Sequence, residues 1–279
     1  METRYDLQFT KFMPKIYNTA GAFVDALGGL EVADGVSNAE DAFYLKKPAQ
    51  TVTINNYDAD KGTDDDSAFG TLVKQTYTNV PAKYTEKLSA NIGLDKFTVN
   101  MDLDKAIADT MERISRAQLQ KLNTAFGKAL VDNAGKTIST AKDVEDMFNQ
   151  AAAELDEKEA IGTRIAYVSP QVRSLLVDSG LTIVDKRSAI DITKDTVEMH
   201  KGFIIEVVPT TYLGDQVDAI FTVAGVGQAF MGISTMRALS EVPGFDGVQV
   251  QMAAKAGAAI PDANKAAIVV AKVTSLPAV

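Results

Sequence analysis

The chain has 279 residues, 46% of them hydrophobic and 23% charged, the ordinary mix of a globular protein. It contains no Cys, no Trp and a single His, which excludes thiolate metal sites, disulfides, cysteine nucleophiles and any site built from several histidines. Twenty-eight Lys and Arg against 37 Asp and Glu give a formal charge of −9, so the chain as a whole has no attraction for nucleic acid or an anionic membrane.

Residues 1–47 read as a mixed N-terminal arm. Its first residues carry acids at Glu2 and Asp6 and no apolar core ahead of a small-residue cleavage site. Neither a secretory signal nor a transit peptide is expected, which leaves the cytoplasm as the default compartment. No apolar run is long enough to span a bilayer. Ile16–Leu27 predicts a short helix, stopped by Gly28 and Gly29.

From Gln50 the pattern changes to alternation. Thr51–Tyr57 and Thr71–Val80 predict the two arms of a long hairpin with a polar tip between Asp58 and Gly70, closed by Pro81. Val52, Ile54, Leu72, Val73 and Tyr77 are few large apolar groups for such a length. A lone two-stranded ribbon is marginal in water, so something must cover it, and its polarity favours another copy of the chain as the cover.

Leu88–Ala106 predicts two short strands about a turn at Gly93–Lys96, then an N-cap at Asp102 with Asp104 in the first helical turn. Leu103, Ile107, Met111, Ile114, Leu122, Phe126 and Leu130 recur at three- and four-residue steps, with Gln118 in the one gap. They predict a helix over 102–134, ended by Asn133–Gly135 and roughly 45–50 Å long, a spine rather than an ordinary helix.

The remaining chain is an α/β pattern. Thr140 and Asp143 can cap a helix reaching about Glu159, and Ser169–Pro170 caps another that stops at Gly180. Arg164–Val168, Phe203–Val208, Ala219–Val223, Val248–Met252 and Ala267–Val273 predict strands, several of them continuously apolar as buried strands are.

The motifs that could carry chemistry are weak. Asp58, Asp60, Asp64 and Asp66 resemble the start of a calcium loop, but Thr63 and Phe69 stand where an EF-hand needs Gly and Glu. Turn-forming aspartates on a solvated tip are the plain reading, and weak non-EF cation binding is the other. Gly225-Val-Gly227 follows a strand, as a dinucleotide loop does, yet Phe230 replaces the third glycine, so a cap or tight turn is expected. Gly232-Ile-Ser234-Thr-Met236 lacks the closing glycine of a nucleophile elbow, and His200 reads as a turn histidine. The carboxylates Asp102/Asp104 and Glu154/Asp156/Glu157 suit helix starts and solvated faces. Lys105, Arg113, Arg116, Lys121 and Lys128 of the spine suit either a solvated face or salt bridges between chains. No catalytic residue, metal ligand set or cofactor site is assigned.

The order of elements resembles the major capsid proteins of tailed bacteriophages with the Hong Kong 97 fold. Gln50–Val80 looks like that family's extended loop, and Thr85–Ala106 with the long helix looks like its peripheral domain. Arg164–Leu176, His200–Thr210 and Asp218–Phe230 resemble its axial domain, and Gly244–Val270 is similar to its closing strands. The resemblance implies an α+β chain divided into an arm at 1–47, an extended loop at 48–81, a peripheral domain at 82–140 and 243–262, and an axial domain at 141–242 and 263–279. It implies a non-enzymatic subunit that forms hexamers and pentamers of an icosahedral, DNA-containing head, located in the virion and assembled in the host bacterial cytoplasm. Portal and a separate scaffolding protein are the implied partners, with DNA enclosed without sequence-specific binding and no membrane. Two alternatives stay open: a bacterial nanocompartment shell of the same fold, and a soluble α/β enzyme or ligand-binding protein. Lys61 lies near the loop tip where some relatives cross-link to a neighbour's Asn, but no local motif supports the match.

Overall fold

The computed structural model describes residues 21–32, 40–50, 52–57, 69–70, 72–96, 103–179, 183–184, 198–240 and 243–273. The expected helix start at Ile16, the Asp102 cap, the strand after Lys96 and the Gly180 stop lie outside them.

In chain order come α1 (Val24–Leu27), β1 (Glu31–Val32), β2 (Asp41–Pro48), β3 (Tyr77–Lys83), β4 (Glu86–Asp95) and α2 (Leu103–Asp132). Then follow β5 (Lys136–Ile138), α3 (Val144–Glu157), β6 (Arg164–Val168), α4 (Pro170–Asp178), β7 (Ile183–Val184), β8 (Glu198–His200), β9 (Phe203–Val207) and α5 (Thr210–Leu213). The chain closes with β10 (Ala219–Val223), β11 (Gln228–Leu239), β12 (Gly247–Ala259), a 3-10 turn at Asp262–Ala267 and β13 (Ile268–Ala271).

The strands form a seven-stranded sheet in the order β5-β13-β10-β6-β9-β8-β7, a four-stranded sheet in the order β1-β11-β12-β4, and the isolated ribbon β2-β3. The large sheet is covered on both faces, which is why its central strands are apolar without alternation. Ala166, Val168, Phe203, Ala219, Phe221 and Val269 face Val144, Met147, Phe148, Ala151 and Leu155 of α3. Ile165, Tyr167, Ile220, Ile268 and Val270 face the other core, with Phe23 just before α1, Leu27 of α1, and Leu122, Phe126 and Leu130 of α2.

The spine α2 is 30 residues, about 45 Å, and joins the two sheets. Its first half lays Ile107, Met111 and Ile114 on Met236, Val248, Val250 and Met252 of the small sheet. Its second half enters the large-sheet core. Gln118 sits between these halves, 2% exposed, with neither side-chain amide atom hydrogen-bonded. The helix starts followed the expected chemistry: Asp143 accepts from the Asp146 N–H at 2.7 Å, and Ser169 from the Val172 N–H at 3.3 Å with Pro170 behind it.

Several expectations need correction. Glu86–Asp95 is one continuous strand, paired from Glu86↔Ala256 to Asp95↔Gly247, with no turn at Gly93. Gly93 is there for room, since a Cβ would stand 2.9 Å from the Phe245 ring. Val248–Met252 is the middle of the longer strand β12. The strand β11 was not anticipated, because Gly232 and a register shift between Met231 and Ser234 break its alternation. Strand membership also shifts the expected grouping. Lys136–Ile138, placed with 82–140, is an edge of the large sheet, and Gln228–Leu239, placed with 141–242, is held in the small sheet by its ladder to β12.

Candidate functional site

The described surface whose chemistry the fold itself does not satisfy is the hairpin that leaves the body between β2 and β3. Its ladder lies nearer the body than the alternation suggested. Asp41–Pro48 pairs with Tyr77–Lys83, from Asp41↔Lys83 out to Pro48↔Tyr77. Pro81 therefore stands inside a strand, opposite Tyr44, instead of ending one. A two-stranded ribbon is all edge, so a residue without an N–H is tolerated there. Residues 41–47 read as arm because Lys46, Lys47 and Pro48 interrupt any strand pattern.

Beyond the ladder the two arms stay face to face without regular pairing. The Ala49 N–H donates to the Thr76 carbonyl at 2.8 Å, and the Gln75 side-chain amide donates to the Gln50 carbonyl at 2.8 Å. Further out, the rings of Tyr57 and Phe69 meet edge to face at 5.4 Å. Gly70, at φ +82°, leaves no space for a Cβ beside Asn55. Among the described residues the large apolar groups of this stretch stay exposed: Ile54 is 91% exposed and Leu72 94%, with Val52, Val73 and Tyr77 also open. Exposed apolar groups in a continuous run, as opposed to scattered singly, mark a surface that docks.

The root of the ribbon is fixed. Ala42, Ala82 and Tyr84 are buried against Phe230 and Ala259, with Phe43 and Tyr84 each edge-on to the Phe230 ring at 5.1 and 5.5 Å. Gly232 and Gly257 admit this packing: a Cβ on either would stand 2.8 Å or less from Tyr84 or the Lys83 carbonyl. Lys47 reaches Asp262 at 2.5 Å, and Lys265 joins at 2.8 Å. Hydrogen bonds from Lys265 and then Lys47 hold the Asp262 carboxyl down at about 2.

The candidate residues from sequence divide clearly. Asp58, Asp60, Asp64 and Asp66, with Lys61, lie outside the described residues, so the cation reading of the tip gains no structural account. Among the described residues no three acidic or histidine side chains converge. Gly225 and Gly227 form a turn, Gly225 at φ +74°, whose N–H groups donate to the carbonyls of Asp25 and Ala26 at 2.9 and 3.2 Å. They dock α1, a role that nothing in the local sequence announces. His200 is 6% exposed and edge-on to Phe148 at 4.9 Å, so it is a core residue of β8 and not a turn histidine. The two helical acid groups separate. Asp104 is exposed in the first turn of α2, while Glu154 pairs with Lys158 at 3.8 Å and Asp156 with Arg164. On the spine, Arg113 and Arg116 bond Asp109 and Glu112 one turn before them, at 2.9 and 2.5 Å, on an exposed face.

No protein-family model matches the sequence, and no curated protein sequence matches it either. Solved structures do. The mature capsid of bacteriophage PhiM1 superposes at a TM-score of 0.58, with 14% identity, over 84% of this chain and 82% of that one. A structure from Mycobacterium phage Che8 gives 0.58 and 17% identity over 82% and 83% of the two chains. The chain has the Hong Kong 97 capsid fold. A virus-like particle from Pyrococcus furiosus shares it at a TM-score of 0.54 and 16% identity, over 96% of this chain and 99% of that chain. The identities are too low for any residue to be aligned by sequence, which is why order and spacing of elements carried the resemblance.

Proposed function

We propose that the chain is the major capsid subunit of a tailed bacteriophage, a structural and non-enzymatic protein that assembles with copies of itself into hexamers and pentamers of a DNA-containing head. The observation that carries this reading is the apolar ribbon, anchored at its root and uncovered along its length. Ile54, Val52 and Leu72, exposed among the described residues, would be buried on another subunit. Each such contact is moderate, and many together close a stable shell.

In this reading the small sheet with the first half of α2 is the peripheral part, and the seven-stranded sheet with α3 and α4 the axial part. Portal, a separate scaffolding protein and the packaged duplex are the partners such a subunit meets, in the host cytoplasm first and then in the virion. The −9 charge supports a wall that does not bind its contents tightly. Sedimentation velocity on the purified chain tests the proposal. Capsomers or shells that dissociate when Ile54 and Leu72 are replaced by Ser support it, and a chain that remains monomeric at every concentration and salt refutes it.

A nanocompartment shell is the second reading, favoured by the near-complete mutual coverage with the Pyrococcus furiosus particle. The TM-score is lower there than for the phage structures above, so the phage head stands first. The contents of purified particles separate the two, nucleic acid for a head and a protein cargo for a compartment.

A further inference from the structure

The strand β4 is an edge. Its ten residues pair with β12 from Glu86↔Ala256 to Asp95↔Gly247, and among the described residues no strand lies along its other side. One step beyond that ladder, the Lys96 N–H donates to the Asp246 carbonyl at 3.1 Å. Bonding alternates along an antiparallel pair, so Leu88, Ala90, Ile92 and Leu94 share their backbone groups with β12. The N–H and C=O groups of Ser89, Asn91 and Gly93 therefore point outward. The side chains sort the same way. Leu88, Ala90, Ile92 and Leu94 form an apolar row on the side of α2, none of them buried, with Ile92 39% exposed. Ser89, Asn91 and Gly93 belong to the opposite, polar face. Edges that must stay unpaired are usually blunted by a proline, a charge or a bulge, and the stretch from Leu88 to Leu94 has none of these.

The outer arm of the ribbon carries the matching pattern. Val52 and Ile54 stand two residues apart and exposed, with Thr53 and Asn55 alternating with them. This stretch has strand chemistry and, among the described residues, no ladder of its own. We propose that residues 52–56 of one copy add a fifth strand to the small sheet of a neighbouring copy, along the outer edge of its β4. Val52 and Ile54 then extend the apolar row beside Ile92, and Thr53 and Asn55 extend the polar row beside Ser89 and Asn91. Main-chain hydrogen bonds supply the hold, and the alternation decides which face turns inward. The donor is another copy because of how the ribbon leaves its root. A Cβ on Gly257 would stand 2.6 Å from the Lys83 carbonyl, and Glu86 pairs with Ala256, so β3 runs on into β4 along β12. The ribbon therefore points away from β4, and its outer arm cannot return to its own edge without undoing the ladder at Asp41–Pro48. The pairing rests on the capsid reading above and names where the ribbon docks.

Cysteine cross-linking in assembled particles tests it, in a chain with no natural Cys. Ile54→Cys is combined in turn with Ala90→Cys, Ile92→Cys or Leu94→Cys, and the particles are oxidised and run without reductant. Directly opposed residues on adjacent strands have Cβ atoms about 4.5–5.5 Å apart, close enough for a disulfide to form with slight adjustment. A ladder of linked copies is expected from at least one double variant and from none of the single variants. Residue-resolved hydrogen exchange on the natural chain needs no substitution. The Ser89, Asn91 and Gly93 amides are expected to exchange at least about tenfold more slowly in particles than in dissociated subunits, with Ala90 and Ile92 slow in both. Particles that give no cross-link at any of the three positions, or unchanged exchange at Ser89, Asn91 and Gly93, would overturn the pairing and leave the capsid reading standing. Linking through Ile54→Cys alone would set ribbon against ribbon and overturn it too. A chain that forms no particles would overturn both readings.

Discussion

Gly127 of the spine helix lies so close to Tyr212 that a Cβ on it would stand 1.8 Å from the Tyr212 carbonyl oxygen. The partner is backbone and cannot rotate away. This crossing joins the spine to α5 in the core between the two sheets, with Phe23 at 3.1 Å on the same side. Gly127→Ala, ordinarily favourable in a helix, is expected to destabilise by about 3 kcal/mol, since overpacking here forces main chain apart. Denaturant unfolding of the variant checks it.

Gln118 gives the opposite expectation. Its side-chain amide is buried with neither atom bonded, between the two apolar halves of the spine's inner face. Gln118→Met keeps the volume and removes the unmet polar group, so it is expected to stabilise by about 1–2 kcal/mol. A lower melting temperature in that variant would speak against the packing described.

The ribbon residues separate folding from assembly. Ile54→Ser and Leu72→Ser remove apolar groups that touch almost nothing in their own chain. The stability of the isolated subunit is expected to stay within about 0.5 kcal/mol, as for other surface changes. Particle formation, followed by light scattering, is expected to fail. At the root, Phe230→Ala removes the ring on which Phe43 and Tyr84 rest, and is expected to cost about 3–5 kcal/mol.

Stability should also fall with rising pH. Burial holds Glu206 at about 7 against its ordinary 4.5, so the folded chain binds more protons than the unfolded chain between these values. Unfolding free energy therefore decreases as pH climbs through that window and levels off above it. The loss is expected to be about 1 kcal/mol, because water still reaches the carboxyl and screens it. Thermal unfolding of Glu206→Gln should lack this slope.

The elements legible in the sequence are those whose signal is local. Ser169–Pro170 and Asp143 announced two helix starts, and the apolar steps of Ile107 to Leu130 announced the spine to within two residues at either end. The uncovered ribbon was legible as an excess of length over apolar content, though its ladder was placed too far along the chain. What was hidden depends on partners distant in sequence. Gly93 reads as a turn until Phe245 is seen lying on it, and β11 has no clear period because it bends at Gly232 to admit Tyr84. His200 looks like a turn residue until Phe148 covers it. The docking of α1 rests on Tyr167, Gly225 and Gly227, residues that only the fold brings together.

Negative-stain electron microscopy of the purified chain tests the central claim most directly. Closed icosahedral particles or hexameric and pentameric rings are the expected result, lost together when Ile54 and Leu72 become Ser. A field of single small globules, unchanged by concentration, salt or those substitutions, would contradict it.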